Sequence, residues 1–269
     1  MVNYLHINHK LSISRSCYLC SISQSNFYYK AKKSVTDENI KSQLLKLAKE
    51  HRTWGFEKMY AYLKNKGMNY NHKRVHRIYC ELGLNIRIKP KQHFTKREPE
   101  VLLQPIVPNF YWSMDFMSDA LYNGVKFRTI NIIDDYNREA LSITIAFSIP
   151  SAFVTNLIDD IAITRGYPDN IRVDNGPEFI SKHLMKWAVA KGIRIHHIQP
   201  GKPAQNAFIE RFNKTYRGDI LDAYVFMNLE QVQKLTDEWI KKYNYERPHQ
   251  SLGNLSPIDF ANKRMRSIN

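Results

Sequence analysis

The sequence predicts an α/β fold: a mixed five-stranded sheet with helices on both faces, preceded by an all-α region built on helix-turn-helix patterns. Three observations predict it. Residues 1–85 repeat apolar residues at three- and four-residue steps. Residues 110–148 change to β-branched and aromatic runs separated by turn residues. Beyond them, helical and strand patterns alternate, which adds parallel strands to an antiparallel start.

The segment SISRSCYLCSISQSNFYYK (12–30) reads as two short helices around Ser21-Ile22-Ser23. Ser23 suits an N-cap, which places Gln24, Ser25 and Asn26 in the first turn. Short polar side chains there are what a recognition helix turns towards a DNA groove. After an Asp37-Glu38-Asn39 hinge, Ile40, Leu44, Leu45 and Leu47 mark an amphipathic helix. Residues 53–84 read as helix, Gly67-to-Asn71 turn, and helix. Asn71 is the expected cap, and His72, Lys73, Arg74 and Arg77 form a basic surface above Val75, Ile78 and Tyr79. These are two helix-turn-helix segments, 1–35 and 36–85, followed by a charged, Pro-containing linker over 86–109.

The strands FYWSMDFMSDA, VKFRTINIIDDYN and EALSITIAFS are joined by an Asn123-Gly124 turn and an Asp134-to-Arg138 turn, giving an antiparallel meander. A helix over 151–165 leads to the strand NIRVDNG, and the helix EFISKHLMKWAVAKG leads to the strand IRIHHIQ. Past the loop Pro200-Gly201-Lys202-Pro203, the residues Ile209, Phe212, Tyr216 and Ile220 share one face of a helix. Glu210, Asn213, Lys214 and Arg217 take the other. The main domain is expected over 110–262, with a tail at 263–269.

Charge is unevenly placed. The chain has 269 residues and a net +15; residues 1–100 hold 20 Lys and Arg against 7 acids, and residues 101–269 hold 20 against 18. A polyanion is therefore the expected partner, gripped at the N-terminal end. Cys17, Cys20 and Cys80 are too few for a disulfide framework and point to a reducing compartment. Only seven residues separate His9 from Cys17, short for a zinc hairpin, so buried thiols are expected instead. With no apolar run of membrane-spanning length and no signal-peptide pattern, a soluble, cytoplasmic protein is expected.

Three acids stand out. Asp115 lies inside an aromatic-rich strand, where burial is costly unless the carboxylate is paired or holds a metal. Asp174 stands at the carboxyl end of a strand, where mixed α/β folds place their sites. Glu210 is on the amphipathic helix. Oxygen donors with no nearby His or Cys cluster suit Mg²⁺ or Mn²⁺. Asp134 and Asp135 are rivals better suited to shaping their turn, and Asp119 and Glu178, though close in sequence to the favoured acids, fall out of their spacing. His249 is as well suited to packing as to a site.

The segments WSMDF, VDNGPEF and PGKPAQNAFIERFN leave 35 residues between Asp174 and Glu210, with Arg217 seven residues after Glu210. Together with YNYERPHQSLGNLSP (243–257) and the two helix-turn-helix stretches, they make the chain resemble a bacterial insertion-sequence transposase of the DDE class. That is the downstream-frame type, whose catalytic core is similar to retroviral integrases. Ser21 stands where the family usually has Gly, and Cys20 where it has a Leu-like residue.

The resemblance implies a ribonuclease H-like core and a polynucleotidyl transferase that cleaves element ends and joins the 3′-hydroxyl to target DNA. Asp115, Asp174 and Glu210 would hold two Mg²⁺ or Mn²⁺ ions, with Asp115 bridging both. Asn206, Lys214 and Arg217 would hold DNA phosphates, with Lys73, Arg74, Arg77, Gln24 and Asn26 as further DNA contacts. The implied partners are double-stranded DNA at the element ends and target, further copies of the chain on that DNA, and the product of an upstream frame. The implied location is the bacterial nucleoid. A DNA-binding regulator without turnover is the alternative.

Overall fold

The computed structural model of the chain describes residues 1–29, 35–86, 102, 104–199 and 203–266. Most of the expected linker (87–101 and 103), the stretch Pro200-Gly201-Lys202 and the end of the tail (267–269) lie outside the described residues. Two compact units are present, Met1–Gln43 and Leu44–Asn269.

The first unit holds α1 (Val2–Asn8), α2 (Ile13–Leu19), α3 (Gln24–Tyr28) and the start of α4 (Val35–Glu50). Sequence patterning did not mark α1. Ser12 and Ser23 cap α2 and α3 by accepting hydrogen bonds from Arg15 N (3.2 Å) and Asn26 N (3.1 Å). Ser21 takes φ +54°, the left-handed conformation, which explains why a Gly suits that turn. Cys17 is buried in α2, Cys20 is half-buried at its C-cap and Cys80 is exposed. The expected hinge at Asp37-Glu38-Asn39 is instead the beginning of α4. Carboxylates in a first helical turn favour the positive end of the helix dipole, so these residues start the helix rather than interrupt it.

The second unit begins with the rest of α4, then α5 (Phe56–Asn65) and α6 (His72–Glu81). Asn71 caps α6 by accepting from Arg74 N, and Val75, Ile78 and Tyr79 are buried as the pattern required. Two hydrogen bonds tie this segment to the rest of the unit: Thr53 Oγ1 donates to Asp219 Oδ1, and Asn65 Nδ2 donates to Asn254 O at 2.7 Å.

The sheet contains β1 (Tyr111–Ala120), β2 (Lys126–Asp134), β3 (Ala140–Ala146), β4 (Asn170–Val173) and β5 (Arg194–His197), in the order β3-β2-β1-β4-β5. The meander pairs are antiparallel; β4 and β5 add on in parallel, which makes the sheet mixed as expected. Helix α7 (Ser151–Arg165) coincides with its sequence-predicted bounds. Helix α8 (Lys182–Lys191) starts later than expected, because Phe179 N bonds back to Gly176 O and Ser181 supplies the cap. Helices α9 (Ala207–Tyr216), α10 (Leu229–Tyr245) and α11 (Pro257–Arg266) complete the unit. A π-helical turn, Arg217–Leu221, extends α9.

Two cores sandwich the sheet. On one face Trp112, Met114, Ile130, Ile132 and Ile171 pack with Val154, Ile158, Leu184 and Ala188 of α7 and α8. On the other, Met117, Phe127, Ile133 and Ile143 pack with Ile209, Phe212 and Tyr216 of α9 and Trp239 of α10. Strand alternation therefore turns Asp115 away from Trp112 and Met114 and towards α9.

Candidate active site

Asp115 sits opposite Asn131 in the β1–β2 ladder. Its Oδ1 accepts from Phe116 N at 2.8 Å, and its Oδ2 accepts from Asn213 Nδ2 at 2.7 Å. The amide chain continues: Asn131 Nδ2 donates to Asn213 Oδ1 at 2.7 Å and contacts Met117 Sδ at 3.1 Å, while Thr129 Oγ1 donates to Asn131 Oδ1 at 3.1 Å. Thr129, Asn131 and Asn213 are all buried. Asn213 is thus not on a solvated face with Glu210, as the helical pattern implied. It turns inward and satisfies a carboxylate that apolar neighbours could not.

Asp174 follows β4, and its Oδ1 accepts from Gly176 N at 2.9 Å. A Cβ at Gly176 would lie 2.9 Å from that oxygen and 3.6 Å from Glu178 Oε2, so only glycine fits without displacing a carboxylate. Glu210 is exposed in the first turn of α9, one helical turn before Asn213, where the helix dipole favours its charge.

The three acids meet electrostatically. Burial pushes the Asp115 carboxyl up to about 6; the Phe116 N–H and the Asn213 amide oppose this, and the charges of Asp174 and Glu210 add to it. Residues far apart in sequence therefore act on one carboxylate. The donors around it are oxygen, the set a hard divalent ion takes. Among the described residues, no three His, Cys, Asp or Glu side chains stand within ligating range of one point.

The rival acids are spent elsewhere. Asp134 accepts from Asn109 N, Tyr136 N and Arg165 Nη2, and Asp135 pairs with Arg172 at 2.6 Å. Both are fully buried and shape the β2–β3 turn. His249 packs edge-on against Tyr243, with its Nε2 buried and without a partner.

Of the expected DNA contacts, Lys73, Arg77, Lys214, Gln24 and Asn26 are exposed and Arg74 is half-buried. Arg77 pairs with Glu81 at 2.5 Å. Two expectations need correction. Asn206 is buried at the start of α9, its Oδ1 unpartnered, because the preceding 3₁₀ turn folds it inward rather than onto an open face. Arg217 is engaged within the fold: it pairs with Asp119 (3.2 Å) and Asp222 (3.6 Å) and donates to Ser118 O (2.9 Å), so a phosphate would have to compete with two carboxylates. Sequence reasoning missed Asn131 as a site residue. The available signal was a polar side chain at an inward position of a strand, directly across from an acid.

Comparison with known proteins shows the family. Residues 107–203 and 191–257 each match an Integrase core domain family, and residues 35–92 match the HTH-like domain family. An uncharacterized 31.7 kDa protein of insertion element IS407 from Burkholderia multivorans is 39% identical over 96% of this chain and 94% of its own length. A protein of Escherichia coli named as transposase InsK of insertion sequence element IS150 is 26% identical over 90% of each chain. The fold is similar to a chain of the simian T-cell lymphotropic virus intasome in complex with PP2A regulatory subunit B56 gamma. That likeness has a TM-score of 0.51 and 17% identity, and covers 72% of this chain and 68% of that one. By this near full-length relationship and its integrase core, the chain belongs to the bacterial insertion-sequence transposases of the DDE class.

Proposed function

We propose that Asp115, Asp174 and Glu210 form the metal-binding centre with which this transposase cleaves DNA at insertion-sequence ends and joins the 3′-hydroxyl to target DNA. The observation that carries the assignment is the 2.7 Å bond from Asn213 to Asp115 Oδ2, which holds the strand acid against the helix that bears Glu210. The integrase core family is metal-dependent, and we assign two Mg²⁺ or Mn²⁺ ions to these carboxylates. When bound, such ions activate the attacking oxygen and stabilise the leaving one.

The protein's own groups do the rest. Asp115 is fixed by the Asn213 amide and the Phe116 N–H, which present its oxygens in one orientation. Glu210 approaches from the helix on which Asn213 also sits, so one rigid element sets two of the positions. Lys214, one turn beyond Glu210, is placed to meet a DNA phosphate beside the reacting bond. Lys73, Arg74 and Arg77 on α6 and Gln24 and Asn26 on α3 are the proposed grips on the element end. Members of this family bind DNA and assemble as oligomers. For this chain we infer copies of itself on the paired ends, the upstream-frame product as a further partner, and a place of action on the bacterial nucleoid.

Strand transfer from a labelled, pre-cut end with Mg²⁺ or Mn²⁺ tests the assignment. Glu210→Gln, Asp115→Asn and Asp174→Asn should each abolish transfer while leaving folding and DNA binding intact. Pairs of these substitutions should be little worse than singles, because the three act as one unit. Transfer by Glu210→Gln at the unmutated rate would remove Glu210 from the centre.

A further inference from the structure

We propose that Glu178 and Arg128 form a clamp that positions Asp174, so that Glu178 is a positioning residue for DNA strand transfer. The proposal rests on the assignment of Asp174 to the metal centre and adds to it two residues outside the three-acid spacing.

Asp174 lies in an irregular stretch between β4 and α8, where the end of β5 meets its backbone: His197 Nδ1 lies 3.3 Å from Asp174 O and Asn175 Nδ2 donates to Ile198 O at 3.0 Å, while its side chain is left to other contacts. Four observations show what holds it. Glu178 Oε1 accepts from Arg128 Nη1, which reaches over from β2. The Arg128 guanidinium also lies 4.4 Å from the centre of the Phe116 ring, next in sequence to Asp115. Phe116 in turn stacks on Phe179 at 4.8 Å with the planes 26° apart, and Phe179 is fully buried. Finally, Gly176 brings Asp174 Oδ1 and Glu178 Oε2 to the same side of the loop, within 2.9 and 3.6 Å of where a Cβ would stand.

The loop with the second acid is therefore fastened at two adjacent residues, 178 and 179, to the strands flanking the first acid. One fastening is ionic and the other aromatic, and Arg128 belongs to both. The Glu178 side chain is only 18% exposed and that of Arg128 32%, so solvent screens the pair less than a surface ion pair. The Arg128 hydrogen bond holds the Glu178 carboxyl below its ordinary range, which keeps the pair ionic. What the clamp sets is the gap between Asp115 and Asp174, on which ion binding depends. Neighbours that orient metal ligands in this way typically matter by 10–100-fold in affinity or activity.

The test uses the full chain and two readouts: Mn²⁺ retained by the protein without DNA, followed by electron paramagnetic resonance, and the Mn²⁺ concentration giving half-maximal strand transfer. Glu178→Gln and Arg128→Gln should each weaken Mn²⁺ retention about 10-fold or more. Each should also raise the half-maximal concentration to match, with transfer restored by excess Mn²⁺. The double variant should be no worse than either single, since both break one interaction. The exchange Arg128→Glu/Glu178→Arg should recover part of the affinity, and it serves where a single variant folds poorly. Unchanged Mn²⁺ affinity in both singles would overturn the clamp. So would loss in Glu178→Gln alone with Arg128→Gln normal, which would make Glu178 itself a ligand. Asp174→Asn, run in parallel, separates the two ideas: if it keeps full transfer, the metal-centre assignment fails whatever the clamp variants do.

Discussion

Replacing Asn213 with alanine probes the link between the two best-ordered parts of the centre. The substitution removes the 2.7 Å bond to Asp115 Oδ2, a bond to an ionisable group whose net worth is about 1.5–3 kcal/mol. It also strips Asn131 Nδ2 of its 2.7 Å oxygen acceptor, leaving only the weakly accepting Met117 sulfur at 3.1 Å. An orphaned buried donor costs about 1–3 kcal/mol. Alanine's better helix propensity returns roughly half a kcal/mol. The two losses outweigh that gain, and the expected destabilisation is about 2–5 kcal/mol. At about 2–4 °C per kcal/mol for a domain of this size, Tm should fall by roughly 5–15 °C. Urea titration gives the free energy directly, through a lower midpoint at unchanged slope. Strand transfer should fall about 10–100-fold even where the variant is fully folded, since Asp115 loses its orienting partner. A stability change below about 1 kcal/mol with normal transfer would refute the reasoning, because it would mean the amide chain is energetically idle.

Three further outcomes are expected. Burial and the nearby cations Arg247, Lys58, Arg138 and Arg211 depress His249 to about 3, and burial together with the Lys242 charge, against Glu50 and Asp219, depresses His51 to about 4. Both folded values lie below the unfolded one, so this contribution is present above about pH 6.5 and is lost as pH falls towards 4 and then 3. The raised Asp115 and Asp135 carboxyls act in the opposite sense below about pH 6, so the histidine share is read by difference: between about pH 6 and 4 unfolding free energy should fall less steeply in His249→Phe, by up to about 1.4 kcal/mol per pH unit, and parallel profiles would contradict this. Lys73→Ala with Arg77→Ala should flatten the dependence of log affinity for end DNA on log salt by up to about 2, less if Glu81 already neutralises Arg77; an unchanged slope would take α6 off the DNA. Ser21→Gly should stabilise the 1–43 unit by roughly 1 kcal/mol by relieving the left-handed turn, read as greater amide-exchange protection in α2 and α3.

Much of the fold was legible because it follows from periodicity. Helix α7 could be bounded to the residue, and the strand alternation that carries Asp115 was plain. The cap at Asn71 and the apolar stripe of α9 were read from local chemistry alone. What escaped reading depends on partners distant in sequence. Asn213 looks like a surface amide until Asn131 and Asp115 close over it. Asn206 has the composition of a phosphate contact but is folded inward. Glu178 lies outside the three-acid spacing, and its pairing with Arg128 of β2 forms only in the folded chain. Spacing locates side chains that act for themselves; side chains that act through others need the three-dimensional fold.

The bonds from Thr53 to Asp219 and from Asn65 to the Asn254 carbonyl have a consequence for where DNA is cut. Asp219 is further held by Trp239 Nε1 at 2.9 Å and Arg247 at 3.4 Å, and it lies in the π-helical turn that prolongs the Glu210 helix. Helix α5, which leads directly into the α6 that bears Lys73 and Arg77, is therefore fastened to the same frame as the Glu210 helix, like one jaw of a locked calliper. If α6 grips the DNA as proposed, the number of base pairs between the phosphates gripped and the bond broken should be a dimension of the folded protein. Residues inserted between 87 and 101 should leave the cut at the same nucleotide. Thr53→Val, by contrast, loosens one jaw and should spread cleavage over neighbouring positions.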